Sequence, residues 1–284
     1  MRCQSVLKWL VPIIIVLALI AAVAGLWPDE GQPYTLSNFR GEEVTINARG
    51  LYHWDTVSSA AQAQANDLAT LVLGIPLLTI SFWLAFRGSL RARLVLTGTL
   101  GFFLYTYTTM SFGAAYNPFF LVYVALFSLS LFAFILCMMA FDLETLPQHF
   151  SDRLPRRGIA RLLFFAAAFL AFAWLGRIIP TITGDQIPTL ENTTTMFIQV
   201  MDLGLIVPLC VLGGLLLLRR SPWGYLLASV GLIKFLTMGI AVSLMALNMA
   251  RIGVPISIVE VVVFPSIALA NLVMTGLLLK NIKE

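Results

Sequence analysis

Three ionisable residues lie inside long apolar stretches, namely Asp202, Lys234 and Glu260. A charge at the centre of a bilayer costs at least about 2.5–3.5 kcal/mol, so such side chains normally face the interior of a helix bundle and pair. With about 1.5 Å of rise per residue, Asp202 and Glu260 lie about 9 Å and 8 Å from one end of their predicted helices, and Lys234 lies about 16 Å from the opposite end. This pattern predicts a polar pocket inside the membrane that opens towards one side, with Lys234 at its floor.

Four further polar residues extend the predicted site. Gln199 precedes Asp202 by one helical turn, and Asn271 shares a helix face with Glu260. Asp67 begins another apolar stretch, and Tyr105 lies in a stretch rich in tyrosine and threonine. The complete predicted ligand- or ion-binding set is Asp202, Lys234, Glu260, Gln199, Asp67, Tyr105 and Asn271.

The charges of the central three residues leave one negative charge uncompensated. A bound cation or amine would complete the balance, or one carboxyl group would hold a proton, because burial disfavours the charged form. A structural interpretation also stays open, in which Lys234 pairs with Asp202 or Glu260 only to fix helix packing. The sequence leaves both interpretations open.

The composition identifies the environment of these residues. The chain has 284 residues, of which 59% are hydrophobic and 11% are charged, whereas soluble domains have about 45–50% and about 25%. This excludes an ordinary soluble enzyme, a disordered chain and a nucleic-acid-binding protein, in spite of the basic net charge of +4. Because about 20 apolar residues cross a bilayer as a helix, we predict an all-α polytopic integral membrane protein with helices over about 7–27, 67–86, 93–114, 118–141, 160–180, 196–218, 223–249 and 255–279.

The basic residues predict the orientation of these helices. If the N-terminus is inside, the cytoplasmic ends hold 13 of the 18 lysines and arginines and the outer ends hold four. We therefore expect cytoplasmic N- and C-termini in a plasma membrane of prokaryotic type.

The basic start of the first helix and its Ala22-Val23-Ala24 segment also suit a cleaved signal peptide, but its apolar run is longer than usual and favours a retained anchor.

Residues 28–66 are the largest polar segment, and we name them the cap. Within the cap, Tyr34–Phe39 and Glu43–Ala48 flank a short turn and predict a β-hairpin. Asp55 is predicted to cap a helix that begins outside the membrane and continues into the second span. The orientation places this small cap on the extracytoplasmic side.

A shift of 132 residues aligns 75–106 with 207–238 and gives nine identities, among them a proline, an arginine and a serine at one shared spacing. This similarity predicts a duplication in which helices 1–4 and 5–8 form two halves of the same orientation. Binding sites often lie between such parallel repeats. The alternative is that two unrelated hairpins share a similar inner turn.

Known catalytic and metal-binding patterns are missing from the sequence. It has two histidines and three cysteines, and no CxxC, HExxH or phosphate-binding glycine motif. We predict no enzyme activity, no cofactor and no metal site.

The leading hypothesis is therefore binding, extending to transport, of a small cationic or polar solute or a proton through an outward-facing pocket. Asp202 and Glu260 would act as acceptors, and Lys234 would act as their partner and switch. The alternative is a non-catalytic membrane sensor or accessory subunit whose cap contacts a protein partner. The other expected partner is the lipid bilayer, and no nucleic acid is expected.

Overall fold

The computed structural model describes residues 4–184 and 189–284, apart from the side chains of Val259 and Glu260. The described chain is predominantly helical, with one small hairpin. Its α-helices are α1 Gln4–Leu26, α2 Val57–Ala69, α3 Ile75–Phe86, α4 Leu90–Gly113, α5 Phe120–Met139, α6 Arg156–Ile182, α7 Phe197–Met201, α8 Val207–Leu218, α9 Pro222–Arg251 and α10 Ile258–Lys280.

Two π-helical turns join pairs of these helices without a break. Thr70–Gly74 connects α2 to α3, and Asp202–Ile206 connects α7 to α8. With each pair counted as one helix, eight helices overlap the eight predicted ranges, and the boundaries differ by a few residues. The exception is the second helix, which begins at Val57 and so starts inside the cap.

Seven of the described helical segments are long and apolar enough to cross a membrane: Ser5–Leu26, Val57–Phe86, Phe120–Met139, Arg156–Ile182, Phe197–Leu218, Pro222–Arg251 and Val261–Lys280. This result supports a multi-pass membrane protein, although we predicted eight spans. The remaining helix, α4, has 24 residues but carries Arg91 and Arg93 in its first turn and several threonines and tyrosines beyond it. Over half of its residues are buried against other helices, and a helix surrounded by protein does not need a lipid-facing apolar surface.

The cap folds largely as predicted. Strand β1 (Tyr34–Ser37) pairs antiparallel with β2 (Glu43–Ile46), and Tyr34 lies opposite Ile46. The N-cap of α2 is Thr56, whose hydroxyl accepts a hydrogen bond from the Ser59 amide; the prediction that Asp55 caps this helix is wrong by one residue. We call the end of the bundle that carries the cap the cap end.

Proline causes both π-helical turns. Pro76 and Pro208 have no backbone N–H and collide with the carbonyl group four residues earlier, which disrupts the regular α-helical ladder. In each case the backbone N–H of the residue before the proline donates to the carbonyl oxygen five residues earlier: Ile75 donates to Thr70, and Val207 donates to Asp202. The helix widens for one turn and then continues.

The loops that follow α3 and α8 have the same conformation as each other. At the end opposite the cap, Gly88 and Arg220 both have positive φ angles, of 100° and 57°. The next residue in each turn, a serine, donates its N–H to Leu84 or Leu216 and is the N-cap of the following helix. A left-handed residue at this point ends one helix and lets the next begin after a minimal turn.

The central contact of the bundle joins α4 to α9. Gly98 of α4 is so close to α9 that a Cβ atom there would lie 2.5 Å from Cβ of Ile233 and 3.0 Å from the carbonyl oxygen of Val230. Small residues allow this approach, which is a common basis of helix association in membranes. This contact brings side chains of α4 beside Lys234 of α9.

We expect Gly98→Ala to destabilise the protein by about 1–3 kcal/mol, because the added methyl group overpacks the contact between α4 and α9. The free energy of unfolding in mixed detergent micelles measures the effect. Gly276→Ala is the matched control, since a Cβ atom at Gly276 meets nothing within 4 Å. Equal stability changes in the two variants would contradict the central role of this contact.

Candidate functional site

Asp202 forms a buried centre where α7 meets the second π-helical turn. Its residue exposure is 6%, and both carboxylate oxygens accept hydrogen bonds. The hydroxyl group of Tyr105 on α4 donates to Oδ1 at 2.8 Å, and the indole Nε1 of Trp174 on α6 donates to Oδ2 at 2.8 Å. Three neighbouring helices therefore meet at one carboxylate.

Lys234 of α9 contacts the ring of the same tyrosine, Tyr105. Its Nζ atom is 4.1 Å from the centroid of the Tyr105 ring and 5.0 Å from that of Phe235, and its residue exposure is 8%. Among the described side chains, no carboxylate oxygen lies within 4 Å of this ammonium group. Cation–π contacts of this kind stabilise a desolvated ammonium by about 2 kcal/mol.

Tyr105 therefore contacts both charged groups, through different parts of its side chain. Its hydroxyl group stabilises the carboxylate of Asp202, and the face of its ring attracts the ammonium group of Lys234. The two charges influence one another but do not form a direct ion pair. An ammonium group held by aromatic rings keeps its three N–H donors available to other acceptors.

Asp67 belongs to a different cluster, in the other half of the bundle. Its Oδ2 atom accepts a hydrogen bond of 2.6 Å from the hydroxyl group of Tyr52, a residue of the cap. The rings of Tyr107 and Tyr123 stack beside this pair, with centroids 6.4 Å apart. In the part of the chain that the structure describes, no cationic side chain pairs with Asp67.

The remaining predicted site residues have separate surroundings. Gln199 is buried one turn before Asp202. Asn271 is buried in α10, where its Oδ1 atom is 3.4 Å from the hydroxyl group of Thr275. The side chain of Glu260 lies outside the described residues. The structure therefore brings together Tyr105, Asp202 and Lys234 from the predicted set, and it separates Asp67 from them.

We compared the chain with protein-family models, with curated proteins and with solved structures, and none of them matched. Function must therefore be argued from the site itself.

Sequence reasoning missed several partners of the two acids. Trp174 lies in an apolar stretch where tryptophan is expected to face lipid, yet a buried indole N–H needs an acceptor, and Asp202 is an acid within reach on the next helix. Tyr52 was overlooked because it is remote from any predicted span. Only the folding of the cap onto the bundle brings Tyr52 to Asp67.

Two clefts lie at the cap end. The larger, of about 800 Å³, is mainly apolar and is lined by residues of α1 and the cap together with Trp27 and Phe119. The smaller, of about 200 Å³, lies between the start of α2, the end of α4 and residues 192–197. Neither cleft is lined by Asp202 or Lys234, so a pocket with Lys234 at its floor stays a prediction.

The described residues include no group of three or more histidine, cysteine or acidic side chains placed to hold a metal ion.

Tyr105→Phe is expected to lower the free energy of unfolding by about 1–2 kcal/mol, because Asp202 loses one of its two donors while the ring over Lys234 remains. Unfolding in mixed micelles measures the change. Tyr116→Phe makes the same chemical change on a side chain that is 78% exposed and is expected to have no effect. If both variants unfold like the wild type, the hydrogen bond to Asp202 does not stabilise the bundle.

Proposed function

We propose that the chain is a plasma-membrane protein of eight crossing helices, with both termini in the cytoplasm and with two four-helix repeats of the same orientation. In this arrangement α4 also crosses the membrane, enclosed by other helices. The excess of basic residues at the end opposite the cap supports the orientation. The cap then lies on the extracytoplasmic side.

The two π-helical turns support the duplication more strongly than the sequence identities do. Thr70 and Asp202, the first residues of these turns, are 132 residues apart, and so are the starts of α3 and α8 and those of α4 and α9. The left-handed residues Gly88 and Arg220 have the same separation. Unrelated apolar hairpins have no reason to share a π-helical turn, a proline and a left-handed turn at one constant spacing.

The proposed repeat also relates the two buried acids. The same shift aligns the pair Asp67 and Thr70 with the pair Gln199 and Asp202. Each repeat thus has one carboxylate near the start of its π-helical segment. In the first repeat the acid is at the earlier of the two aligned positions (Asp67), and in the second it is at the later one (Asp202), three residues along the same helix face. π-helical turns occur frequently at functional sites, which supports a functional role for both acids.

We further propose that the protein binds a small cation, polar solute or proton at Asp202 and carries it across the membrane. The observation that carries this proposal is that Tyr105 contacts both a carboxylate and an ammonium group, which do not form a direct ion pair with each other. A cation that reaches Asp202 would repel Lys234 from the ring of Tyr105, and its departure would let Lys234 return. This exchange of partners is the proposed coupling step.

We expect Asp202→Asn to reduce the uptake of protons or methylammonium into proteoliposomes by at least about tenfold, the equivalent of about 1.4 kcal/mol in binding. Asparagine keeps an acceptor for Tyr105 but removes the charge that attracts a cation. A pH-sensitive dye and a labelled amine measure the two fluxes. Asp152→Asn, on an exposed loop, serves as the matched control, and wild-type flux in Asp202→Asn would reject the transport proposal.

Lys234→Met separates a functional role of the lysine from a structural one. If Lys234 acts as a switch, the variant loses flux but unfolds at the same or a higher denaturant concentration, because a desolvated charge has been replaced by an apolar side chain of similar length. A purely structural lysine would instead give a less stable protein. Lys280→Met, at the exposed end of α10, controls for the loss of a positive charge.

The orientation is testable with an impermeant maleimide and single cysteines in a Cys3→Ser background, since Cys137 and Cys210 are buried. We expect Asn192→Cys, at the cap end, to be labelled in intact cells. Asp152→Cys, at the opposite end, is expected to be labelled only after permeabilisation. The reverse pattern would invert the proposed topology.

A second candidate function is that of a sensor or accessory subunit. Phe39 and Trp54 are the two most exposed aromatic side chains of the cap, at 71% and 55%, and such residues favour protein contacts. For this function the double variant Phe39→Ser and Trp54→Ser would lose a co-purifying membrane subunit, whereas Asp202→Asn would retain it.

A further inference from the structure

Two acidic residues at the cap end connect three separate parts of the chain. Asp55 ends the cap loop before α2, and its Oδ1 atom accepts the backbone N–H of Ala115, between α4 and α5, at 2.9 Å. Glu191 lies between α6 and α7, and its Oε2 atom accepts hydrogen bonds from the hydroxyl groups of Thr56 and Ser59. Both acids therefore lie where the first turn of α2 meets two other connections.

The second oxygen of Asp55 has no hydrogen-bond partner among the described residues, although it is buried. The residue is 6% exposed and lines the cleft of about 200 Å³. Asn192–Thr195 also line this cleft, and each of these residues has an amide or hydroxyl oxygen in its side chain. A buried carboxylate oxygen without a donor or a counter-charge is costly, so this atom indicates a missing positively charged partner.

The protein itself does not supply that partner in the described structure. The two ion pairs there join Arg40 to Glu42 and Arg91 to Glu284, and they involve neither Asp55 nor Glu191. The guanidinium group of Arg40 donates to backbone carbonyl groups of the 191–193 segment rather than to the carboxylate of Glu191. The N-terminus of α2 offsets about half of one charge, so the cleft stays negative.

Both the burial of Asp55 and the nearby carboxylate of Glu191 raise the pKa of Asp55, to about 6. The hydrogen bond from Ala115 favours the ionised form.

The chemistry of the available ligands selects among cations. Carboxylate, hydroxyl and backbone carbonyl oxygens are hard ligands, and nitrogen or sulfur ligands do not line the cleft. Ca²⁺ takes six to eight such oxygens in flexible geometry and accepts water as well, whereas Mg²⁺ demands a near-ideal octahedron at shorter distances. Asp55 lines this irregular cleft, and the carboxylate of Glu191 is hydrogen-bonded to two of its lining residues, Thr56 and Ser59. Such a set of oxygens fits Ca²⁺ better.

We propose that a Ca²⁺ ion binds in this cleft between Asp55 and Glu191. The ion would tie the cap and the first turn of α2 to the α4–α5 and α6–α7 connections. The cap hairpin already holds the α6–α7 connection through Asn38 and Arg40, so the bound ion would lock the cap onto the bundle. Sites with few charged ligands bind Ca²⁺ with dissociation constants of about 10⁻⁴–10⁻³ M.

The test uses the purified full-length protein in detergent, freed of divalent cations and held at pH 7.5. Titration with Ca²⁺ is expected to raise the Tm in a saturable manner with a midpoint of about 10⁻⁴–10⁻³ M, and the same ionic strength of Na⁺ is expected to leave it unchanged. Tb³⁺ replaces Ca²⁺ as a luminescent probe, because Trp54 is adjacent to Asp55 and can transfer excitation energy to the ion.

Asp55→Asn and Glu191→Gln are each expected to raise the Ca²⁺ midpoint and to weaken Tb³⁺ luminescence by at least about tenfold, a loss of about 1.4 kcal/mol in binding. The asparagine still accepts the Ala115 N–H, so the fold is retained. Asp152→Asn and Glu144→Gln, both on exposed loops, are the matched controls. A wild-type Tm that does not respond to Ca²⁺, or an unchanged midpoint in Asp55→Asn, would overturn the proposal; neither result bears on flux through Asp202.

Discussion

A carboxylate inside a helix bundle must obtain hydrogen-bond donors or a positive charge from neighbouring helices, because lipid supplies neither. Asp202 obtains a tyrosine hydroxyl from α4 and an indole N–H from α6. The same tyrosine presents its ring to Lys234 of α9. The requirements of one buried acid thereby fix the relative positions of four helices. The close contact of α4 with α9 at Gly98 makes this arrangement possible, because Tyr105 lies two turns further along α4.

The π-helical turns contribute in a different way, since they change the direction in which side chains point. An extra residue in one turn rotates the helix segment before the turn relative to the helix segment after it. The acid and the following apolar stretch therefore face different neighbouring helices. The chain uses this device twice, each time with a proline two residues after the turn. If the two halves are repeats, both have kept the π-helical turn, but the acidic residue lies about one helical turn later in the second repeat (Asp202) than in the first (Asp67). One repeat then has an acid among tyrosines, and the other has an acid with a lysine nearby.

The cap and the membrane-embedded residues are parts of one structure. Tyr52 of the cap donates its hydroxyl group to Asp67, and Arg40 of the hairpin turn holds the connection that leads to α7 and Asp202. Any displacement of the cap would therefore disturb the surroundings of both buried acids. The proposed Ca²⁺ ion would act at the same junction. A sensor function and a transport function would thus depend on the same contacts.

Composition and segment length were sufficient to predict a helical, multi-pass membrane protein and the approximate range of each helix. The length of an apolar stretch and the proline or serine at the start of a helix are local properties, so the sequence alone reveals them. The hairpin was also predicted, from residues Tyr34–Phe39 and Glu43–Ala48, and its strands are Tyr34–Ser37 and Glu43–Ile46. The sequence identified Asp202, Lys234 and Tyr105 as unusual, since polar groups in apolar stretches are conspicuous. It did not indicate that Tyr105 contacts both Asp202 and Lys234. Nor did it indicate that Trp174 completes the hydrogen bonds of Asp202, or that Asp67 pairs with Tyr52 instead. Those pairings depend on which helix faces which and on the rotation introduced at each π-helical turn, and only the packed tertiary structure decides them.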